Sequence, residues 1–383
     1  MANNTARLGD LATYVNGYAF KPSDWGDTGL PIIRIQDLTG NSYQLNRYEG
    51  DYPARIEVND GDVLISWSAS LGVYVWQRDK ALLNQHIFKV VFDKLPINKD
   101  YFVFAVEHKL AEMESKTHGA TMKHIVKKDF DSTIIPYPAI EEQAEIADRL
   151  RRITALIEKQ QEQLLLLDQL VKSRFIELFG DPVANSFGWK QALLCEVTSK
   201  IGSGATPRGG KESYQAEGIT LIRSMNVHDG RFEYKDLAHI TDEQAAQLDN
   251  VTVEDGDVFI NITGASVARS CIVPTDILPA RVNQHVAIIR CVREWLHPRF
   301  ANNMFLNDRF KGQLLDIGES GGATRQAITK QQLENLAVIL PPIELQEQFA
   351  AFVEQTDKSK LAVQKGLRQL EILKKSLMQQ YFG

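Results

Sequence analysis

A chain of 383 residues, 44% hydrophobic and 24% charged, has the length for two or three domains and the composition of a soluble globular protein. A formal net charge of −6 excludes nucleic-acid binding by bulk charge, so any such binding must come from local patches. The polar start "MANNTARLGD", three cysteines without a CxxC pair, and a densest apolar cluster of only Leu164 to Leu167 argue against a signal peptide, a disulfide frame, a zinc site and a membrane span; a cytoplasmic setting is expected.

In chain order, "PIIRI" at Pro31, "GDVLISW" at Gly61, "HIFKVVF" at His86 and "STIIPY" at Ser132 read as strands, being short, β-branched and bounded by turn residues. A helix is predicted from Lys99 to Lys116. After Pro138 no Gly or Pro interrupts Ala139 to Phe179, and Ile146, Leu150, Ile153, Ile157, Gln160, Leu164, Leu167, Val171, Arg174 and Leu178 recur at alternating spacings of four and three. That is a coiled-coil stripe on one long helix, opened by Pro138 and closed by Gly180. "GDPVANSFGW" at Gly180 is a linker.

The second half repeats this order. Strands are predicted at "TLIRSM", "GDVFINI", "HVAIIRCV" and "LAVIL", and a helix from Pro298 to Leu315. A second long helix follows Pro341, with a weaker stripe of Phe349, Val353, Thr356, Lys360, Val363, Leu367, Leu370, Lys374, Leu377 and Tyr381. Each long helix would measure roughly 55 Å at about 1.5 Å per residue. One exposed apolar stripe of that length needs a partner, and the simplest is the other helix, running antiparallel.

The repeat is in register at its ends. Gly119-Ala120-Thr121 returns as Gly322-Ala323-Thr324, "PAIEEQAEIA" at Pro138 as "PPIELQEQFA" at Pro341, and Phe179-Gly180 as Phe382-Gly383, all 203 residues apart. Upstream the offset grows from 186 at Leu8 to 189 at Gly29, 195 at Val58 and 199 at Asn84. Insertions fall in surface loops, so each copy is one domain with a constant frame and variable loops. The expected division is a globular 1–138, a helix 139–180, a linker with a second globular part 181–340, and a helix 341–383.

Enzymatic signatures are missing. "SGATPRGGK" at Ser203 lacks P-loop spacing and reads as a mobile loop able to supply a phosphate contact. There is no NPPY or DPPY tetrapeptide and no HExxH, and Asp229 with Glu233 and Lys235 reads as a solvated charge cluster. The pattern favours a binding protein.

The motifs in order resemble a known family. "RLGDLATYVNGYAFKPSDWGDTGLPIIRIQDLTG", "GDVLIS", "NQH", "GAT" and "YPAIEEQAEIA", then "IRSMNV", "GDVFIN", "NQH", "GGAT" and "LPPIELQEQFA", are similar to the specificity (S) subunits of type I DNA restriction–modification systems. The resemblance implies an α+β fold of two pseudo-repeated mixed α/β target-recognition domains separated by a long antiparallel two-helix coiled coil. It implies a non-catalytic chain without a cofactor that reads one half of a split double-stranded DNA site with each domain. Its helices would bind two methylation (M) subunits, which carry the S-adenosylmethionine, and motor/nuclease (R) subunits would join the full complex. Tyr137-Pro138 departs from the usual Pro-Pro pair that Pro341-Pro342 keeps.

If the halves read different sequences, residues that differ at matched places should read bases and shared ones should be frame or phosphate contacts. Lys116, Lys123, His124 and Lys127 face Arg325 and Gln326 across the GAT segments; Ser68 and Ser70 face Thr263, Ser266 and Arg269; Lys21 faces Arg208 and Lys211; and Gln36 is followed by Asp37 where Asn226 ends the second pair. These are the candidate DNA contacts, together with the matched Arg34 and Arg223, which are either phosphate contacts or buried ion pairs. The NQH triplet reads better as a hydrogen-bond cluster at a strand start than as a DNA contact. An acidic chain should bind DNA tightly only with its partner subunits. The rival reading is a cytoplasmic coiled-coil scaffold whose globular repeats bind protein or carbohydrate.

Overall fold

A computed structural model describes residues 4–40, 45–116, 125–319 and 326–383. It divides into two compact units, Met1–Glu162 with Gln364–Gly383, and Gln163–Val363. Each unit therefore holds one globular half and one end of each long helix.

In the first unit, a four-stranded antiparallel sheet has the order Thr13–Asn16, Ile87–Val91, Val63–Ser66, Gly72–Val75. A smaller sheet centres on Leu30–Ile33, which runs parallel to Ala81–Leu83. Thr5–Arg7 pairs with Ile134–Pro136 and brings the segment before the long helix against the chain start. In the second unit the same order returns as Thr198–Ser203, Val286–Cys291, Val258–Asn261, Ser270–Ile272. Ile219–Ile222 lies parallel to Ala280–Val282, and Lys190–Leu193 pairs with Ala337–Leu340. The predicted strands are all present. The strand in "PIIRI" stops at Ile33, because the Arg34 N–H donates to the Asp37 carboxylate and starts one helical turn, Ile35–Leu38.

The Lys99–Lys116 helix has the predicted limits. Its counterpart breaks into Pro298–Leu306 and Asp308–Glu319. Asn307 is extended between them, and its Oδ1 accepts from Arg309 N at 3.1 Å and Phe310 N at 3.3 Å, capping the second piece.

The repeated junction before each long helix is explained by one buried glutamine. Gln143 Oε1 accepts from Asn98 N at 2.9 Å, and its Nε2 donates to Pro138 O at 2.9 Å. Gln346 Oε1 accepts from His297 N at 2.9 Å, and its Nε2 reaches Trp295 O at 3.1 Å and Pro341 O at 2.8 Å. Both are buried and tie the start of a helix to its own globular half.

The long helices span Ile140–Phe179 and Ile343–Phe382. Every position of both predicted stripes is buried or half-buried, including Ile146, Leu150, Ile153, Ile157, Leu164, Leu167 and Val171 on the first, and Phe349, Val353, Val363, Leu367, Leu370 and Leu377 on the second. The helices pair antiparallel in each unit. In the first unit Arg149 Nη1 meets the Tyr381 hydroxyl at 3.3 Å, while Gln160 packs where a Cβ on Gly366 would stand 3.0 Å from its amide. In the second, Asp168 bonds Lys360 at 2.6 Å, and Phe175 lies edge-on to Phe349 at 5.5 Å. The polar stripe members are accommodated individually. Lys374 reaches Glu107 at 3.4 Å, Arg174 pairs with Glu177 at 2.8 Å, and the Thr356 hydroxyl donates to Phe352 O at 2.9 Å.

The three thiols are free. Burial pushes Cys271 and Cys291 up to about 12, so both are inert at neutral pH. Among the described residues no helix is long and apolar enough to cross a membrane.

Candidate nucleic-acid interface

In both units the candidate segments converge on the NQH turn. In the first unit Asn84 N bonds Ile33 O at 3.1 Å, beside Arg34. Gln85 N bonds Tyr18 O at 2.9 Å, Trp67 N bonds His86 O at 3.3 Å, and Ile125 N bonds Trp67 O at 3.0 Å. The second unit repeats three of these four bonds and reverses the one to the early loop. Asn283 N bonds Ile222 O at 3.0 Å, Gly204 N bonds Asn283 O at 3.1 Å, Ile262 N bonds His285 O at 3.0 Å, and Ile328 N bonds Ile262 O at 2.8 Å. Gly17 and Gly204 approach so closely that a Cβ would stand 2.0 Å from Asn84 O and 1.9 Å from Val282 O. One turn thus gathers the early loop, the arginine strand end, the loop after the core strand and the residues that follow the GAT segment.

The residues around this hub differ between the units. In the second unit Thr263 Oγ1 lies 2.5 Å from His285 Nδ1, Gln284 Nε2 lies 3.2 Å from His285 Nε2, and the Thr206 hydroxyl donates to Gln284 Oε1. Gly264 N bonds Gln326 O at 2.9 Å, and Gln326 Nε2 donates to Glu319 at 2.6 Å. In the first unit the His86 ring instead lies edge-on to Trp67 at 5.0 Å.

Arg34 and Arg223 belong to the frame. Arg34 is 3.5 Å from Asp37 and lies over the Trp25 ring at 5.6 Å. Arg223 lies over Tyr214 at 5.5 Å and donates to Asp236 O. Each begins a one-turn helix, with its N–H donating to Asp37 or to Asn226 Oδ1 at 3.1 Å. Each holds an early-loop aromatic to a strand end.

Two candidates are corrected. Asn226 is fully buried, and its Nδ2 donates to Glu233 O at 2.9 Å and Lys235 O at 3.2 Å, which leaves nothing for DNA. Ser68 is buried, and its carbonyl accepts from Ser66 Oγ at 3.3 Å. Ser70 is exposed at the tip of that loop, next to Ala69 in the left-handed region at φ 60°. Its counterpart loop carries half-buried Ser266 and Arg269, with Ala268 at φ 64°.

Gln36, Lys21 and Arg208 are exposed. Lys127 pairs with Asp131 at 2.7 Å and lies over Tyr14 at 5.7 Å, so its charge is partly neutralised. Lys123, His124, Arg325 and both GAT segments lie outside the described residues, as do the side chains of Lys116 and Lys211. Sequence reasoning missed Thr206 and Asn261. Asn261 is buried and donates to Ser224 O at 2.9 Å, tying the arginine turn to the core strand. The identity of NQH in both copies was the available signal for the hub. Among the described residues no group of His, Cys, Asp or Glu is placed to hold a metal.

A family model described as the type I restriction modification DNA specificity domain matches residues 3–166 and again 189–372. The chain is 25% identical over 411 residues to the type I restriction enzyme EcoBI specificity subunit of Escherichia coli, covering 98% of this chain and 84% of that protein. It is 22% identical over 389 residues to the MjaVIII specificity subunit of Methanocaldococcus jannaschii, covering 97% and 90%. Its fold is similar to the crystal structure of a type I restriction–modification S subunit from M. genitalium, with a TM-score of 0.59 at 14% identity over 99% and 96% of the two chains. A chain from a study of complex assembly and conformational transition of the type I system gives a TM-score of 0.58 at 18% identity, over 99% and 97%.

Proposed function

The chain belongs to the type I restriction–modification DNA specificity family, and from that premise we propose that each unit reads one half of a split double-stranded DNA site. The reading is carried by the NQH hub, built twice on three matched backbone bonds and surrounded by different side chains. A shared frame with unlike surroundings is what two readers of different sequences require. Thr263, Ser266, Arg269 and Gln326 would serve one half-site, and Lys21, Gln36 and Ser70 the other. Lys123, His124 and Arg325 are assigned on sequence alone. The domain limits proposed are 1–138 and 181–340, with the helices 139–180 and 341–383 between and after them.

In this reading the chain is non-catalytic and two methylation subunits dock on its long helices, with motor/nuclease subunits joining for restriction. The outer helix faces supply apolar surface for such docking. Leu361 is 68% and Leu165 65% exposed, although both lie outside the buried stripe. Replacing both by glutamate is expected to abolish assembly with the methylation subunits while leaving the chain folded.

Methylome sequencing of cells carrying the chain with its partners tests the proposal. A split methylated motif that disappears on deletion of the chain is expected, and Arg269→Ala should alter only one half of it. An undivided motif, or one that survives deletion, would overturn it.

A further inference from the structure

Two members of the repeated NQH triplet are explained by the fold, and the third is not. Asn84 Oδ1 accepts from Gln85 N at 2.9 Å and Asn283 Oδ1 from His285 N at 3.0 Å, so the asparagines close the turn. His86 packs on Trp67, and His285 bonds Thr263. Gln85 and Gln284 stand between them, exposed in both units. The Gln85 side chain makes no hydrogen bond to a described residue, whereas that of Gln284 meets Thr206 and His285. A common structural task therefore does not account for the same residue at the same step.

We infer that Gln85 and Gln284 are equivalent hydrogen-bond donors to the sugar–phosphate backbone of DNA, one in each unit. The inference rests on the DNA-reading function proposed above. A primary amide carries two N–H donors and one carbonyl acceptor. In the second unit Thr206 donates to Oε1 and one N–H goes to His285 Nε2, whose Nδ1–H then donates to Thr263. The second amide N–H stays available. Turning the amide over exchanges the roles of Thr206 and His285 and still leaves one N–H. The relay thus fixes the plane of the amide without using up its donors. A phosphate oxygen is an acceptor present at every step of a duplex, whatever its sequence. It suits a residue shared by two units whose surrounding side chains differ, and a base edge does not. Because the amide is neutral, the contact releases no counterion.

Gln85→Ala and Gln284→Ala, each in the chain assembled with its methylation subunits, test this on a cognate and a scrambled duplex over a range of salt. Each variant should bind both duplexes about tenfold more weakly, as expected for the loss of one hydrogen bond to a charged group. The ratio between duplexes, the salt slope and the methylated motif should not change. Relaxed discrimination at one half-site would make the residue a base reader, and unchanged affinity on both duplexes would make it a surface residue; either result overturns the inference. Gln85→Ala removes no internal bond and keeps the test valid if Gln284→Ala disturbs its hub. Failure of the wild-type complex to select a split site would instead count against the proposed function.

Discussion

In the first unit Trp67 lies edge-on to His86 and stacks over Phe88 at 5.5 Å, whereas in the second Ile262 stands in the place of Trp67 and the His285 ring is taken up by Thr263 and Gln284. The backbone bonds around these side chains are nonetheless the same. Duplication has preserved where the chain turns and which strands meet, while an aromatic packing in one copy answers to a polar relay in the other. The comparison teaches that the frame is specified by backbone hydrogen bonds and buried caps, and that side chains on its rim vary without disturbing it.

The largest test of that equivalence lies at the matched helix ends. Phe179 and Phe382 are both fully buried. Phe179 packs among Phe175, Phe300 and Phe349 at 5.1, 4.7 and 5.4 Å, whereas Phe382 meets Tyr101 at 5.2 Å and His108 at 6.2 Å. Phe179→Ala should cost about 4 kcal/mol and Phe382→Ala about 3 kcal/mol, because the denser ring cluster leaves the larger cavity. Denaturant unfolding of the two variants measures both, and a larger loss at Phe382 would show that ring packing does not set the difference.

A sharper comparison exchanges the two caps. Asp37 and Asn226 do the same work, accepting the N–H of the arginine that begins the turn. Asp37→Asn keeps that acceptor, weakens the 3.5 Å pairing with Arg34 and buries an amide N–H in place of the second carboxylate oxygen, a loss of about 2 kcal/mol. Asn226→Asp places a carboxylate against Glu233 O and Lys235 O, to which it has no proton to give, and should cost about 3 kcal/mol. Equal costs in thermal unfolding would mean that the two bonds donated by the Asn226 amide carry no weight.

These two residues also show where the sequence could be read and where it could not. The helix stripes were legible because a period of three and four is a local property, and each predicted position is buried or half-buried. The constant 203-residue offset located the junctions; the equal 40-residue length of the two long helices holds it, and the buried Gln143 and Gln346 anchor each helix start. The rule that differing residues read bases misassigned Asn226, because unlike side chains at matched places can make the same hydrogen bond. Ser68 misled for a related reason: its counterpart Thr263 reaches His285 while Ser68 is buried. The break at Asn307 had a local signal, an Asn directly before Asp308, which the continuing apolar pattern of Phe305, Phe310 and Leu314 masked; the restart depends on that one side chain capping the next turn.

The smallest expected effect concerns acid stability. Asn98 and His297 occupy matched places before a helix: Asn98 Oδ1 accepts from Tyr101 N at 3.0 Å and His297 Nδ1 from Arg299 N at 3.1 Å. Burial pushes the His297 imidazole below the ordinary value of 6.5; Arg293 and Arg299 push the same way, and Glu347 opposes them. The unfolded chain therefore takes up a proton near 6.5 while the folded second unit resists it until lower pH. The contribution is complete above 6.5 and is lost as the pH falls below it, when a protonated Nδ1 can no longer accept the Arg299 N–H. His297→Asn installs the first unit's cap in the second. It should leave stability at neutral pH within about 1 kcal/mol and flatten its decline on acidification. His108 in the first unit is shifted the same way by burial and adds to the slope in the same sense. Unfolding midpoints of wild type and variant between about pH 5 and 7.5 decide the matter, and parallel curves would remove His297 from the account.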